Sequence, residues 1–301
     1  GWVLFGIIWR LLAVCWAIVT LRKPTVVYTF SHKPVDSFPA RVAQSCGSVW
    51  IADWCDLWGG DGLNKLMQEK RGEPETFSDR WDDRVTRGDA RLELWAAQQA
   101  NAVTVISQFL HDLAADRRGS DEDVFLFPSG ADTERIRPVP QHNAQDFLIA
   151  RHDVPRDFFA DGTVVLGYLT SWLPEEQFFI EALNQAFEEN ENLRLLIAGA
   201  DLENCEDIFD FDKRGHHVGR IPFRQVEQFL GACDVLLMPL ENSEFNQSRW
   251  PNKIGDYLAA GRPIVACRVG EVDGFMTSYD IGVGTESEVE DFSEGILKAA
   301  K

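Results

Sequence analysis

The sequence lacks paired cysteines, an excess of basic residues and internal repeats, and each absence excludes a class of protein. None of the six Cys belongs to a CxxC pair or has a paired spacing with His, which argues against a structural metal site. The 29 Lys and Arg are outnumbered by 48 Asp and Glu, and the net charge of −19 argues against a nucleic-acid partner. No sequence repeat or low-complexity tract occurs, which excludes solenoid architectures.

Length and hydrophobic content predict a globular enzyme with two domains. Hydrophobic residues make up 45% of the 301 residues, which is enough to bury a sizeable core. Cys15, Cys233 and Cys267 lie inside apolar runs. We therefore expect them to be buried, reduced thiols of a cytoplasmic protein.

Residues 2–21 form an apolar run that fits three interpretations: a spanning helix, an interfacial helix or a buried core helix. The run is nearly long enough to span a bilayer, but Arg10 lies near its middle, where a charge costs about 2.5–3.5 kcal/mol. It does not fit a signal peptide, because the basic residues follow it. Residues 1–50 carry a net charge of +4 and residues 51–301 carry −23. This contrast is typical either of a membrane-apposed start or of an ordinary acidic surface.

Short apolar segments alternate with amphipathic segments along the chain, which indicates βαβ units and parallel sheets of the α/β class. We predict strands at residues 25–30, 49–53, 102–106, 124–127, 164–169, 193–198, 234–238 and 264–267. We predict helices at residues 36–45, 79–99, 107–118, 174–190, 223–231, 252–260 and 286–300. Residues 133–162 are rich in Pro, Arg and Asp and predict an interdomain hinge.

The segment Arg249–Gly270 is the most informative part of the sequence. A Pro-containing turn leads into a helix with Asp256 in its first turn, and Gly261 is placed to end that helix in the left-handed conformation. The apolar run at residues 263–267 follows and predicts a buried parallel strand. Helix N-terminal amides at such a turn can bind an anion, and Asp256 can reach a ribose hydroxyl. The segment therefore predicts a nucleotide-diphosphate site.

Four segments in this order resemble the C-terminal half of the retaining glycosyltransferases of family 4, the group 1 glycosyl transferases. Residues 256–266 (DYLAAGRPIVA) match the family's donor helix and the following strand, with Asp in place of Glu. The other three segments are 195–199 (LLIAG), 218–222 (VGRIP) and 233–239 (CDVLLMP). Weaker similarity occurs at residues 50–56, 102–107 and 127–132. Motifs in the family's order are more specific than any one of them alone.

The resemblance implies the GT-B fold, in which two Rossmann-like, doubly wound parallel-sheet domains face a cleft. Residues 1–150 are then an incomplete acceptor-side domain, and residues 151–301 are the domain that binds a nucleotide sugar. Family members usually have a further strand and Gly-rich loop at the start and a further segment at the end. We therefore expect this chain to be a fragment that lacks the family's N-terminal start and C-terminal tail.

The reaction implied by the resemblance moves a sugar from a nucleotide-diphosphate sugar to a hydroxyl acceptor, with retention and without a metal or other cofactor. Asp256 is expected to bind the donor ribose, and Asn252 and Lys253 the diphosphate, with Lys253 also the candidate catalytic cation. The predicted donor-binding residues are Gly199, Gly219, Arg220, Ile221, Asn252, Lys253 and Asp256.

Two positions depart from the family pattern. Family members often carry a second acid eight residues before the ribose acid, and this chain has Ser248 there. They also often carry an Arg and a Lys after the first strand of the C-terminal domain, whereas residues 167–176 contain no basic residue. A departing diphosphate needs cationic or amide donors, so Lys253, Arg220 and Arg249 are the remaining candidates.

Polar residues after two predicted N-terminal strands are the acceptor-side candidates. His32 follows the first strand and is expected to orient the acceptor or the sugar, or to be an ordinary loop residue. Asp53 and Asp56 end the next strand and are expected to bind acceptor hydroxyls or to act as a base, or else Asp53 is a plain turn acid. His32 and Asp53 are, with Lys253, the predicted catalytic residues.

The resemblance also bears on partners and location. Some family members that act on lipid-linked acceptors have a membrane-facing helix before the strand that residues 25–30 predict. We therefore favour a membrane-dipping helix at residues 2–21 and a cytoplasmic protein at the inner face of the membrane, with a lipid-linked acceptor. Two alternatives stay open: a nucleotide-sugar epimerase that uses His32, Asp53 and Asp56, and an inactive protein that binds a nucleotide sugar or a partner.

Overall fold

The chain divides into two units, each built on a parallel sheet. The computed structural model describes residues 2–21, 25–59, 62–65, 88, 91–170, 177–199 and 214–301. The first unit consists of Gly1–Pro128 with Ser243–Trp250, and the second of Ser129–Asn242 with Pro251–Lys301. The division into an acceptor-side domain at residues 1–150 and a donor-side domain at residues 151–301 stays a prediction.

The first unit contains a four-stranded parallel sheet in the order β1-β2-β3-β4. Its strands are β1 (Val26–Thr29), β2 (Val49–Trp54), β3 (Ala102–Val105) and β4 (Val124–Leu126). Burial alternates along β2, where Trp50, Ala52 and Trp54 are buried. Trp50 packs with Ala40 and Ala96, which come from helices, so the sheet is covered by helical segments.

Helices of the first unit cover this sheet, and a serine caps the start of two of them. The helices are Trp2–Leu21, Pro34–Ser45, residues 91–99, Gln108–Arg118 and Glu244–Ser248. The Ser107 hydroxyl accepts a hydrogen bond from the Leu110 amide and so caps the helix that begins at Gln108. The same hydroxyl donates to the Ser248 carbonyl oxygen at 2.5 Å, which attaches the short helix Glu244–Ser248 to this unit.

The helix Trp2–Leu21 has one face that packs and one that does not. Arg10 lies on the packed face, where its guanidinium pairs with Asp36 at 2.9 Å and donates to the Val35 carbonyl oxygen. Phe5, Trp9, Leu12, Trp16 and Val19 share the other face and are 61–71% exposed. Among the residues that the structure describes, no helix is long and apolar enough to cross a membrane.

The second unit contains a six-stranded parallel sheet in the order β10-β9-β8-β5-β6-β7. Its strands are β5 (Val164–Thr170), β6 (Leu193–Gly199), β7 (Gly215–His217), β8 (Val235–Met238), β9 (Ile264–Cys267) and β10 (Gly282–Thr285). Every residue of β8 and of β9 is buried, as expected for strands with both faces covered.

Helices precede, connect and follow these strands. They are Gln141–His152, Gln177–Glu189, Phe223–Ala232, Lys253–Ala260, Glu271–Ser278 and Val289–Ala299, with a short 3-10 helix at Arg156–Phe159. Asp234, just before β8, ties several of these elements together. Its carboxylate accepts hydrogen bonds from the Val165 amide at 2.8 Å and from the Gln141 side chain at 2.7 Å.

The prediction of two parallel α/β sheets is confirmed, and each predicted strand corresponds to an observed strand within a few residues. Strands β7 and β10 were missed because Gly-His-His and Gly-Val-Gly-Thr carry no run of apolar residues. Of the predicted helix 79–99, residues 91–99 are helical, whereas 79–87, 89 and 90 lie outside the described residues. Residues 174–176 of the predicted helix 174–190 also lie outside them.

Two sequence-based expectations were wrong. Residues 133–162 are not a hinge, because they contain the helix Gln141–His152, whose Ala144 and Leu148 are fully buried. Pro140 acts there as the residue that precedes the helix rather than as a breaker, since its fixed backbone angle suits a helix start. Cys15 is exposed, because it lies off the packed face of its helix, whereas Cys233 and Cys267 are buried thiols as predicted.

Gly199, the last residue of β6, lies close to the backbone of Thr170 in β5, and a substitution can test this contact. Its φ is +150°, and a Cβ atom there would lie 1.4 Å from the Thr170 carbonyl oxygen. We expect Gly199→Ala to lower the free energy of unfolding by about 3 kcal/mol or more, measured by urea denaturation. Gly162→Ala is the control, because Gly162 has φ +85° but open space around its Cβ position, and should cost about 1–2 kcal/mol. Equal losses in the two variants would rule out the steric explanation.

Candidate donor site and strand-end cluster

Strands β5 and β8 mark the point where the order of the second sheet reverses. The chain passes from β5 outward to β6 and β7, and then returns to the other side of β5 to form β8, β9 and β10. In open parallel sheets, ligands bind beyond the carboxyl ends of the strands at such a reversal. A ligand site is therefore expected at the carboxyl ends of β5 and β8.

At these ends the two strands separate, and the Tyr257 hydroxyl satisfies peptide groups of both. The pairing of β5 with β8 covers only Leu166 with Val235 and Gly167 with Leu236. Beyond it, the Tyr257 hydroxyl accepts a hydrogen bond from the Leu169 amide at 3.1 Å and donates to the Leu237 carbonyl oxygen at 3.3 Å. Tyr257 is fully buried, so the helix Lys253–Ala260 is held against the opening between the strands.

The first turn of this helix carries three of the predicted donor-binding residues. Asn252 is exposed and its side chain makes no capping hydrogen bond. The Lys253 ammonium lies 5.0 Å from the centre of the Tyr168 ring, above strand β5. Burial raises the pKa of the half-buried Asp256 carboxyl, and the negative charge of Asp132 raises it further. The helix ends at Gly261 with φ +68°, which confirms the predicted left-handed residue.

The remaining predicted donor-binding residues lie around the end of β6. The Gly199 amide donates to the Gly219 carbonyl oxygen at 3.1 Å, and the Val218 amide donates to the Ile197 carbonyl oxygen at 2.9 Å. Gly219 has φ +73° and turns the chain away from the sheet. Arg220 follows and is exposed, and Ile221 is half-buried. Since Gly199 also touches Thr170, this turn and the Lys253 helix both adjoin the carboxyl end of β5.

In the first unit, Asp53 is engaged by side chains from its own sheet. Its Oδ1 atom accepts hydrogen bonds from the Tyr28 hydroxyl at 2.9 Å and from the Thr104 hydroxyl at 2.5 Å. Its Oδ2 atom accepts one from the Cys55 thiol at 2.8 Å. Burial, with the hydrogen bond to Asp53, raises the pKa of Cys55 to about 12, so this thiol is protonated at neutral pH. The carboxylate therefore joins the ends of β1, β2 and β3.

His32 follows β1 and lies against Trp58. Its ring centre is 5.5 Å from that of Trp58, and the Lys33 ammonium lies 4.9 Å from the Trp58 ring centre. His32 is 8% exposed, and its Nε2 atom is buried without a hydrogen-bond partner among the described residues. Burial, together with the charge of Lys33, lowers the pKa of His32 to about 4, so the imidazole is neutral at neutral pH.

His32 and Asp53 line one cavity of about 20 Å³ in the first unit, which is large enough for one water molecule. The structure thus brings together two of the three predicted catalytic residues, whereas Lys253 belongs to the second unit. The cavity is also lined by Glu93, a buried carboxylate that the sequence analysis missed. A single acid within the apolar segment at residues 92–97 was the signal that could have found it.

Asp56 and Ser248 are two further positions that the sequence singles out. Burial raises the pKa of the Asp56 carboxyl, and the charge of Arg249 opposes that rise. Ser248 is fully buried, and its hydroxyl donates to the Phe245 carbonyl oxygen at 2.9 Å. Within the described ranges, no group of His, Cys, Asp and Glu is arranged to hold a metal ion.

The second half of the chain is similar to a known protein family. Residues 163–301 match the model of the glycosyl transferases group 1 family. This match covers the second half of the chain and part of the second unit begins before it. Over 252 residues, 81% of this chain, it is 24% identical to TuaH of Bacillus subtilis (strain 168), a protein assigned as a teichuronic acid biosynthesis glycosyltransferase. The chain spans 57% of the length of that curated relative.

Solved structures establish the fold of this chain. Sucrose-phosphate synthase of Thermosynechococcus elongatus is 16% identical, with a TM-score of 0.66 over 96% of this chain and 67% of that one. Anabaena HepE, solved with UDP and glucose, is 14% identical, with a TM-score of 0.63 over 96% of this chain and 71% of its own. At these identities the likeness concerns the fold alone, and it confirms the predicted GT-B fold.

The role of Tyr257 in holding the donor helix can be measured. Tyr257→Phe removes the hydroxyl and leaves the Leu169 amide and the Leu237 carbonyl oxygen without their partner. We expect it to lower the free energy of unfolding by about 1–3 kcal/mol. Tyr279→Phe is the matched control, because Tyr279 is 63% exposed and its hydroxyl should contribute less than about 0.5 kcal/mol. A Tyr257→Phe variant as stable as the control would contradict this role.

Proposed function

We propose that the protein is a retaining glycosyltransferase that moves a sugar from a nucleotide-diphosphate sugar to a hydroxyl acceptor. The observation that carries the proposal is the N-terminus of the helix Lys253–Ala260, held by Tyr257 at the reversal point of the second sheet. Backbone amides and the helix dipole at such a terminus favour a bound diphosphate. The Lys253 ammonium adds a positive charge at the same end.

The proposed donor contacts follow from the placement of each residue. Asp256 accepts hydrogen bonds from the ribose hydroxyls, while Asn252 and Lys253 bind the diphosphate. The turn at Gly219–Ile221, beside Gly199, receives the base, because its backbone groups lie at the end of the neighbouring strand. UDP is the first nucleotide to test, since HepE was solved with UDP and with UDP-glucose.

In the proposed reaction, the bond between the anomeric carbon and the diphosphate oxygen breaks, and a bond from that carbon to the acceptor oxygen forms on the same face. The acceptor proton passes to the departing diphosphate. Charge develops on the leaving group, so Lys253 and the helix amides supply stabilisation where it is needed. On the acceptor side, neutral His32 can orient a hydroxyl, and Asp53 keeps the strand ends that carry it in place.

Calorimetry tests the donor site directly. We expect UDP or GDP to bind in the absence of metal, and Lys253→Ala to weaken that binding at least about tenfold, or 1.4 kcal/mol. Lys298→Ala is the matched control, because Lys298 is an exposed lysine of the same unit that lies in the helix Val289–Ala299. Absence of binding by either nucleotide would refute the proposal, and so would equal affinities of the two variants.

Ser248 favours one alternative, an inactive protein that binds a nucleotide sugar. Its hydroxyl and carbonyl oxygen are both engaged within the first unit, so this position provides no acid for the transferred sugar. Nucleotide binding without release of UDP or GDP from any nucleotide sugar would support this alternative. The epimerase alternative receives less support, because Asp53 already accepts three hydrogen bonds from its own unit.

We also propose that the exposed face of the helix Trp2–Leu21 binds an anionic membrane, where a lipid-linked acceptor would be available. Phe5, Trp9, Leu12, Trp16 and Val19 form a continuous apolar face, and Arg10 is withdrawn from it by its pairing with Asp36. Tryptophan is favoured at the membrane interface. The net charge of +4 on residues 1–50 suits a negatively charged lipid surface.

Vesicle sedimentation tests this surface. We expect the protein to bind vesicles of phosphatidylcholine with phosphatidylserine, and the double variant Trp9→Ser with Trp16→Ser to bind at least about tenfold more weakly, because two apolar anchors are lost. Tyr279→Ser, which changes an exposed aromatic residue of the other unit, should bind like wild type. Wild-type binding by the double variant would contradict the proposal. Loss of self-association in the double variant, without any vesicle binding by wild type, would assign the face to a second copy of the chain instead.

A further inference from the structure

Glu93 is a buried carboxylate that fixes the segment after strand β2. Its side chain belongs to the helix at residues 91–99 and is 2% exposed. The Oε1 atom accepts hydrogen bonds from the Trp54 indole at 2.6 Å and from the Trp58 amide at 2.9 Å. The Oε2 atom accepts one from the Gly59 amide at 2.8 Å. Three donors on one buried carboxylate define the path of the chain from Trp54 to Gly59.

This path determines where the Trp58 ring lies. Trp58 is the residue whose amide Glu93 binds, and its ring contacts the imidazole of His32 and the ammonium of Lys33. His32 has no hydrogen bond at Nε2 among the described residues, so packing rather than a polar partner fixes that side of its ring. A change at Glu93 should therefore reach His32 through Trp58.

We propose that Glu93 is a positioning residue that acts through Trp58 to orient His32 and Lys33 at the acceptor side of the reaction. The inference rests on the function proposed above, in which His32 orients the acceptor hydroxyl. Glu93 is buried and lines the same cavity as His32. Its carboxylate is suited to this task because N–H donors converge on both of its oxygens, and a buried charge is tolerated only when it is well hydrogen-bonded.

The surroundings of Glu93 make the pH dependence of the proposed positioning a useful readout. Burial raises the pKa of Glu93 to about 7, the three N–H donors oppose this rise, and the charge of Asp56 adds to it. The other titratable groups that line the cavity are His32, with a pKa near 4, and Asp53. Protonation of Glu93 removes the negative charge that makes its carboxylate a strong hydrogen-bond acceptor. The proposed positioning should therefore weaken as the pH falls through about 7.

The first experiment compares Glu93→Gln with Glu122→Gln, which makes the same change at an exposed position of the same unit. In the 301-residue protein, NMR titration of the histidine rings, with His32→Gln to assign the signal, should give a pKa for His32 near 4 in wild type. We expect Glu93→Gln to move it towards its ordinary value of 6.5, because the ring gains water, and Glu122→Gln to leave it unchanged. Equal His32 titrations in all three proteins would overturn the proposal.

The second experiment uses Trp58→Ala, which removes the ring but keeps the amide that Glu93 binds, and which remains informative if Glu93→Gln does not fold. We expect Trp58→Ala to shift the His32 titration in the same direction, and an unchanged titration would refute the route through Trp58. In sugar transfer, Glu93→Gln should lower kcat at least about tenfold, leave the nucleotide Kd unchanged and abolish the fall of kcat below about pH 7.

These readouts separate the two proposals. If wild type binds no nucleotide, the proposed function fails, while the histidine titration still decides whether Glu93 positions His32. If wild type transfers sugar and Glu93→Gln retains its kcat and pH profile, Glu93 has no positioning role and the transferase proposal stands.

Discussion

The second unit depends on how its sheet opens between strands β5 and β8. The two strands pair at Leu166–Val235 and Gly167–Leu236, and beyond this pairing Tyr257 bonds the Leu169 amide and the Leu237 carbonyl oxygen. A buried peptide group without a partner is costly, and the Tyr257 hydroxyl removes that cost on both strands at once. The same contact fixes the helix that carries Asn252, Lys253 and Asp256. A requirement of the backbone thus places a helix N-terminus, with a positive charge beside it, at the opening of the sheet.

Carboxylates of the first unit show how environment separates the roles of similar residues. Asp53 lies at the strand ends and accepts three hydrogen bonds from side chains, so it links neighbouring strands. Glu93 is deeper and accepts three N–H groups from the segment after β2, so it defines a backbone path. His32 is left neutral against Trp58 by burial. Titratable side chains of one unit are therefore distinguished by their burial and their hydrogen-bond partners.

Much of the fold could be predicted because its strands are short apolar runs and its donor segment has strong local signals. Pro251 before the helix, Asp256 in the first turn and Gly261 after it fix the limits of that helix from within. Local sequence signals gave wrong predictions where tertiary contacts determine the structure. The abundance of Pro, Arg and Asp at residues 133–162 predicts a hinge, yet burial of Ala144 and Leu148 stabilises a helix there. The prediction that Cys15 is buried was wrong, because an apolar run does not show which face of its helix is covered by other residues.

The sequence by itself determined the α/β class, the parallel strands and the helix-Gly-strand unit at residues 253–267, because these follow from periodicity and from residues with restricted backbone angles. Only the tertiary structure decided that Tyr257 joins β5 to β8, that Asp53 is engaged by Tyr28 and Thr104, and that Glu93 lies behind Trp58. Those contacts join residues that are distant along the chain. Their chemistry therefore becomes visible only when the sheet order and the burial of each side chain are known.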